Sequence, residues 1–234
     1  MTPPHRLSKP YLVRTGVDGI LADLDEGDAV PPERELAARF GVSRETVRHA
    51  LHELLVEGRI ERRGRGTVVS RPKLVQRLSL ESYTEGAAGH GRVPGRLPVT
   101  WADISASTEI AEALDISAGD DVMHLERVLL ADGQRIGLES TYLPLHRFDR
   151  LIQTFDPATS LYAAIRNCGV QFGSATERIE TVLPSPREAA LLETTTAMPM
   201  LRLHRRSLDT DGRPIEMVRA LYRGDRIAFE TTLT

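Results

Sequence analysis

Residues 30–70 read VPPERELAARFGVSRETVRHALHELLVEGRIERRGRGTVVS. Pro31-Pro32 stops any helix before it and presets the next one, because proline is tolerated in a first helical turn. Glu33 and Glu35 fall in that turn, where carboxylates suit the positive helix end. Leu36, Ala37 and Phe40 make its apolar side, and Gly41 is placed to end it in the left-handed conformation. Ser43 then stands where an N-cap belongs, its hydroxyl within reach of an N–H two or three residues on. Thr46 rather than Glu follows three residues later, so a full capping box is not expected. Val47, Ala50, Leu51, Leu54 and Leu55 recur at helical spacing, and Gly58 closes that run. Ile60 and Val68 or Val69 flank Arg62-Arg63-Gly64-Arg65-Gly66, which reads as two strands around a glycine-containing turn. Helix, tight turn, helix and basic hairpin in this order predict a winged helix-turn-helix, a module that places its second helix in the DNA major groove.

Charge points the same way. Residues 34–77 hold eleven Arg or Lys against five Glu, a local excess of six positive charges. The rest of the chain holds 19 basic and 28 acidic groups, so the overall net charge of -3 conceals a basic head and an acidic remainder. That asymmetry suits a polyanion binder whose second domain does something else; a merely solvated charged face is the alternative. Within the head, Arg44 and Arg48 are the candidates for guanine, because a guanidinium matches O6 and N7 bidentately. Ser43 and Thr46 are expected on phosphates, which fix register without reading sequence. Arg34 is placed for a flanking phosphate. Arg65 and Gly66, at the hairpin tip, suit a narrow minor groove.

Upstream, residues 1–9 look frayed, and Tyr11, Leu12, Val17, Ile20, Leu21 and Leu24 then predict a helix. Gly16 and Gly19 weaken it by roughly 1 kcal/mol each. Downstream, Arg71 to Gly95 reads as a linker, with residues 86–95 flexible by composition. Beyond it, strands are expected over 97–104, 122–130, 136–143, 175–183, 200–207, 215–222 and 227–233. Helices are expected over 107–114, 160–168 and 185–192. Asp132-Gly133 and Asp211-Gly212 are hairpin turns with a mechanism, since Asp-Gly accepts positive φ; the two similar hairpins hint at a duplicated layout. Hairpins without βαβ alternation imply an antiparallel sheet carrying helices. The fold class is therefore α+β in two domains: a DNA-binding domain over 1–71, a linker over 72–95 and an effector-binding domain over 96–234.

Several function classes fall away. No apolar run approaches the roughly 18 residues of a membrane helix, and no secretory leader is recognisable, so no membrane partner is expected and the cytoplasm is the natural compartment. The single cysteine, Cys168, excludes an internal disulfide and a multi-cysteine zinc site. No nucleophile elbow, HExxH or P-loop is present. Lysine occurs only at Lys9 and Lys73, so the second domain has no amine for a Schiff base. No cofactor and no metal are expected. The reading is a regulator rather than an enzyme.

The run from Val30 to Val69 resembles the DNA-binding domain of the GntR family of bacterial regulators. The resemblance is carried by Pro-x-Glu-Arg-x-Leu-Ala, Phe-Gly-Val-Ser-Arg-x-Thr-Val-Arg-x-Ala-Leu, Leu-x-x-Gly and a Gly-x-Gly-Thr wing. Ser82-Tyr83-Thr84-Glu85, Glu126-Arg127-Val128, Leu138-Glu139-Ser140, Thr159-Ser160-Leu161-Tyr162 and Tyr222-Arg223-Gly224-Asp225-Arg226 resemble the HutC subgroup. Its sensing domain, called UTRA, has a chorismate-lyase-like fold. The resemblance implies a homodimer on a palindromic double-stranded DNA operator, controlled by a small-molecule effector, and supports Arg34, Ser43, Arg44, Thr46, Arg48, Arg65 and Gly66 as DNA contacts. Effector contacts are expected at Ser82, Thr84, Arg127, Glu139, Ser160, Tyr162, Glu216 and Tyr222. Ser160 opens a helix whose positive end attracts anions, Tyr162 adds a phenol, and Glu139 and Glu216 can accept hydroxyls or pair with arginine. In the amino-sugar-phosphate sensors of the subgroup the matching serine, tyrosine and arginine hold phosphate, which makes a phosphosugar or another small anion the expected effector. Those sensors carry a second arginine two residues after the first, where this chain has Leu129. Other readings stay open at this stage. Arg127–Glu139 is alternatively a cross-strand salt bridge, Ser82–Glu85 a helix cap, and residues 222–226 a structural turn. Alternatives for the whole chain are a DNA-binding protein without a ligand, or an enzyme on a chorismate-lyase-like fold.

Overall fold

The computed structural model describes residues 8–232, and the expected frayed end lies mostly outside them. Two compact units are present: Met1–Lys73 with Gly224–Arg226, and Leu74–Arg223 with Ile227–Thr234.

The first unit contains α1 (Lys9–Leu21), α2 (Glu33–Phe40), α3 (Arg44–Val56) and a two-stranded wing, β1 (Ile60–Arg63) and β2 (Gly66–Val69). Val13, Val17, Leu21, Leu36, Val47, Leu51, Leu54 and Ile60 meet in one core. Gly16, a propensity defect in α1, has a packing reason: a side-chain carbon there would come within 2.5 Å of the Phe40 ring. Gly41 ends α2 with φ at 62°, which sets the tight turn into α3. Ser43 caps α3 by accepting from the Thr46 N–H at 3.2 Å. The turn at residues 224–226 clusters with this unit, where Arg226 meets Glu61 at 2.6 Å.

The second unit is built on a six-stranded antiparallel sheet. Its strands are β4 (Pro94–Ser105), β5 (Asp121–Ala131), β6 (Gln134–Pro144), β7 (Phe172–Val182), β8 (Met200–Asp209) and β9 (Pro214–Arg223), in the order β4-β5-β6-β9-β8-β7. Two three-strand meanders thus meet at β6 and β9, and the two Asp-Gly hairpins occupy corresponding places. That is the duplicated layout hinted at by the sequence. Asp132 and Gly133 have φ of 50° and 78°, as a two-residue hairpin turn requires. Helices α5 (Thr108–Leu114), α6 (Leu145–Thr154), α7 (Leu161–Asn167) and α8 (Pro186–Leu191) complete the scaffold.

The stretch expected as a linker is largely ordered secondary structure, including much of residues 86–95, the part expected to be flexible. Leu74–Arg77 form β3, which pairs in parallel with β10 (Ile227–Glu230). Tyr83–Gly89 form α4, held at its start by a full capping box between Ser82 and Glu85. The glycines that read as flexibility permit close packing: a side chain at Gly86 would strike Gln76 at 2.4 Å. Helix α6 was not expected, and β10 ends at Glu230, short of Leu233, which lies outside the described residues.

Gly137 in β6 faces Tyr222 of β9 across the ladder, and an added side-chain carbon would lie 2.7 Å from that ring. Tyr222 is buried and cannot swing out. Gly137→Ala is therefore expected to destabilise the second unit by about 1–3 kcal/mol through overpacking. The single tryptophan, Trp101, packs against Phe155 in this unit and reports its urea transition by fluorescence; an unchanged midpoint would refute the packing argument.

Candidate functional site

Two sites emerge, one on each unit. On the first, α2, the Gly41 turn, α3 and the wing present a basic face. Arg34, Arg44 and Arg65 are exposed and make no hydrogen bond or ion pair among the described residues. Gly66 opens β2 beside Arg65, after a two-residue turn in which Gly64 has φ of 59°. Ser43 and Thr46 share a hydroxyl–hydroxyl bond of 2.9 Å at the start of α3, in the same turn as Arg44. Arg48 stands apart. It is tied to Glu45 at 2.7 Å and Glu33 at 3.2 Å, so its guanidinium is already occupied. The Arg63 and Arg62 guanidiniums are likewise engaged, by Glu61 and by Thr67.

The second site is a cavity of roughly 60 Å³ on one face of the large sheet, bounded also by β3, α4 and α7. Its wall includes Ser82, Arg127, Glu139, Ser160, Tyr162, Glu216 and Tyr222, all named from the sequence. Thr84 does not line it; its hydroxyl accepts from Arg96 at 2.6 Å. The open alternatives prove compatible. Arg127 and Glu139 are cross-strand partners, joined at 2.6 Å, and both line the cavity. Ser82 both caps α4 and forms part of the wall.

Burial sets the chemistry here. Arg127 is 3% exposed; besides Glu139 it donates to the Thr159 carbonyl at 2.9 Å, while its Nε has no acceptor. Glu216 is fully buried. One of its oxygens accepts from the Tyr162 hydroxyl and from Ser207 at 2.9 Å, and the other has no partner. Loss of water pushes the Glu216 carboxyl above its ordinary range, with Tyr162, Arg205 and Ser207 pulling the other way. Burial also pushes the Tyr162 phenol well up, and Glu216 adds to that. Arg205 donates to Tyr162 at 2.9 Å and pairs with Glu177 at 2.5 Å. Tyr162 stacks on Phe172 with centroids 4.2 Å apart. Unsatisfied guanidinium donors and an unsatisfied carboxylate oxygen in one small cavity are what a polar ligand would complete.

Sequence reading missed Arg96, Glu177 and Arg205. Arg205 and Glu177 sit on neighbouring strands in register with each other, and no local motif marks such a pair. The alternation of strand residues around Glu216 could have pointed to the β8 arginines, had the pairing of β8 with β9 been used to place them.

The family model for bacterial regulatory proteins of the gntR family matches residues 20–69, and that for the UTRA domain matches residues 89–228. The HTH-type transcriptional repressor PhnF of Mycolicibacterium smegmatis is 48% identical over 228 residues, covering 97% of this chain and 93% of that protein. The HTH-type transcriptional repressor NagR of Bacillus subtilis is 33% identical over 203 residues, covering 86% and 83%. The crystal structure of PhnF from Mycobacterium smegmatis matches with a TM-score of 0.71 at 49% identity, covering 95% of this chain and 99% of that one. With a winged reading head and a sheet-built sensing unit both in place, the chain is a DNA-binding regulator rather than an enzyme, and it belongs to the GntR family, in the HutC subgroup that carries a UTRA domain.

Proposed function

We propose that this regulator is a repressor that binds a palindromic operator as a homodimer and is controlled by a small anion held in the sheet-face cavity. The observation that carries the reading is Arg127: a guanidinium 3% exposed, on the cavity wall, with a buried N–H that no protein atom accepts. The names of PhnF and NagR, both repressors, support the sign of regulation.

In the reading head, α3 enters the major groove with Arg44 on base edges, while Ser43, Thr46 and Arg34 hold phosphates and Arg65 with Gly66 follow the wing into the minor groove. Arg48 can reach a base only by leaving Glu33 and Glu45. Two heads in one dimer must match half-sites about 34–36 Å apart, or a multiple of that spacing. The anion alters operator affinity only to the extent that it binds one conformation more tightly than the other. A DNA-binding protein with no effector is the second reading, favoured by the pairing of Arg127 and Arg205 with carboxylates of the chain itself.

Arg44→Ala is expected to weaken operator binding by about 1–3 kcal/mol and to relax the preference at one base pair. Arg48→Ala should cost less, because that side chain gives up two ion pairs to bind. Competition binding at fixed salt, against operators altered one base pair at a time, measures both; equal selectivity in wild type and Arg44→Ala would remove α3 from the groove.

The effector reading is tested by isothermal titration with glucosamine 6-phosphate and N-acetylglucosamine 6-phosphate, and by thermal shift against phosphosugars, phosphonates and phosphate. A ligand at a hundred times its dissociation constant adds about 2.7 kcal/mol of stability. Ser160→Ala, which removes a helix cap at a cost of about 1 kcal/mol, should keep operator binding and lose much of the response. Flat shifts across the whole panel would favour the effector-free reading.

A further inference from the structure

We infer that Arg96 of β4 is the charge-selecting residue of this cavity, holding the second negative charge of a phosphoryl or phosphonyl headgroup whose first is met beside Arg127. The inference rests on the anion reading above and names its ligand class. Register places the residue. In the β4–β5 ladder Arg96 lies opposite Leu129, and Pro98 lies opposite Arg127. Directly opposed residues share a sheet face, as do residues two apart on one strand. Arg96 therefore projects to the face that carries Arg127, and it forms part of the cavity wall. Leu129, fully buried among Leu203, Val218 and Tyr222, supplies no charge there. The neighbouring strand supplies it instead.

The partners of Arg96 are the stronger argument. Arg127 has Glu139 and Arg205 has Glu177. Arg96 has no carboxylate within ion-pair distance among the described residues. Its contacts are the neutral Thr84 hydroxyl at 2.6 Å and the Tyr83 ring at 5.5 Å. Its Nε is buried without an acceptor, like that of Arg127. A half-buried cation with no carboxylate in ion-pair contact carries a desolvation cost that the more distant Glu139 offsets only in part, and the charge of Arg127 adds repulsion. A tetrahedral dianion answers both guanidiniums at once, with oxygens to spare for the two open Nε–H groups. A singly charged carboxylate answers one. Thr84 then acts as a positioning residue, through Arg96, which accounts for its place behind the wall.

The test uses the full chain, with inorganic phosphate and methylphosphonate as probes, titrated calorimetrically across the second ionisation of each. Wild-type affinity should rise as the dianion forms. Arg96→Gln should lower dianion affinity by about tenfold to a hundredfold and flatten that pH dependence, while operator binding without probe stays unchanged. Arg96→Lys should retain the pH dependence with weaker binding, since charge remains but the fork is lost. Arg96→Lys also decides the matter if Arg96→Gln fails to fold, since a loss of the pH dependence there would overturn the assignment. Should Arg96→Gln bind as wild type does while Ser160→Ala loses the probe, the Arg96 assignment alone is overturned. Should the wild type bind neither probe, the anion reading of the cavity falls together with it.

Discussion

The pairing of β6 with β9 is the contact on which the sensing unit depends. Each three-strand meander is local in sequence, but neither has a binding floor by itself. Joined edge to edge, with Glu139 opposite Ala220 and Thr141 opposite Val218, they form one continuous face. The Arg127–Glu139 pair of the first meander and the Arg205–Glu216 neighbourhood of the second then border a single cavity. Small residues make the seam possible. Gly137 leaves room for the Tyr222 ring, and that ring in turn covers the gap a strand glycine would open. The pocket is thus a consequence of joining two half-sheets rather than of any one motif.

What fills that face is unusual for a buried sheet surface, since it is charged. Interior ions are tolerated when paired and hydrogen-bonded, and breaking such a pair leaves an uncompensated charge. The cavity follows this rule incompletely. Carboxylates answer Arg127 and Arg205, yet Nε of Arg127 and one oxygen of Glu216 stay unpartnered. Replacing these groups by apolar side chains would commonly be neutral or stabilising, so stability alone does not explain them. The proposed recognition of a ligand does, because donors and acceptors held out of water interact strongly with a group that meets their geometry.

Much of this was legible from residues 30–70 because the signals there are local. Ser43 as a cap, Gly41 as a left-handed stop and a glycine turn in a basic hairpin each act within a few residues, and each forms as expected. The later hairpins were legible for the same reason, through Asp132-Gly133 and Asp211-Gly212. The misread stretch, residues 72–95, is shaped by partners far away in the chain. Leu74–Arg77 become a strand because Ile227–Glu230 lie alongside, about 150 residues later in the sequence. Gly86 looks like flexibility in a row of small residues, and only the position of Gln76 reveals it as clearance. Arg96 and Arg205 were missed on similar grounds. A strand residue's role depends on the register of its neighbours, and periodicity alone gives the face without the partner.

The two units use one side chain in opposite ways. In the reading head, the Arg34, Arg44 and Arg65 side chains stand in water without partners among the described residues, the state in which a proposed duplex contact would displace counterions at least cost. In the cavity Arg127 and Arg205, with the half-buried Arg96, are largely withdrawn from water, and their donors meet a carboxylate, a carbonyl, a hydroxyl or a ring. Arg48 lies between these cases, exposed but held by Glu33 and Glu45. An exposed pair of that kind contributes little stability, yet both pairs must be given up before the Arg48 guanidinium meets another partner. The buried pairs behave differently: with water excluded, each donor keeps its direction. Solvent exposure, more than residue type, separates Arg34, Arg44 and Arg65 of the head from Arg127 and Arg205 of the cavity.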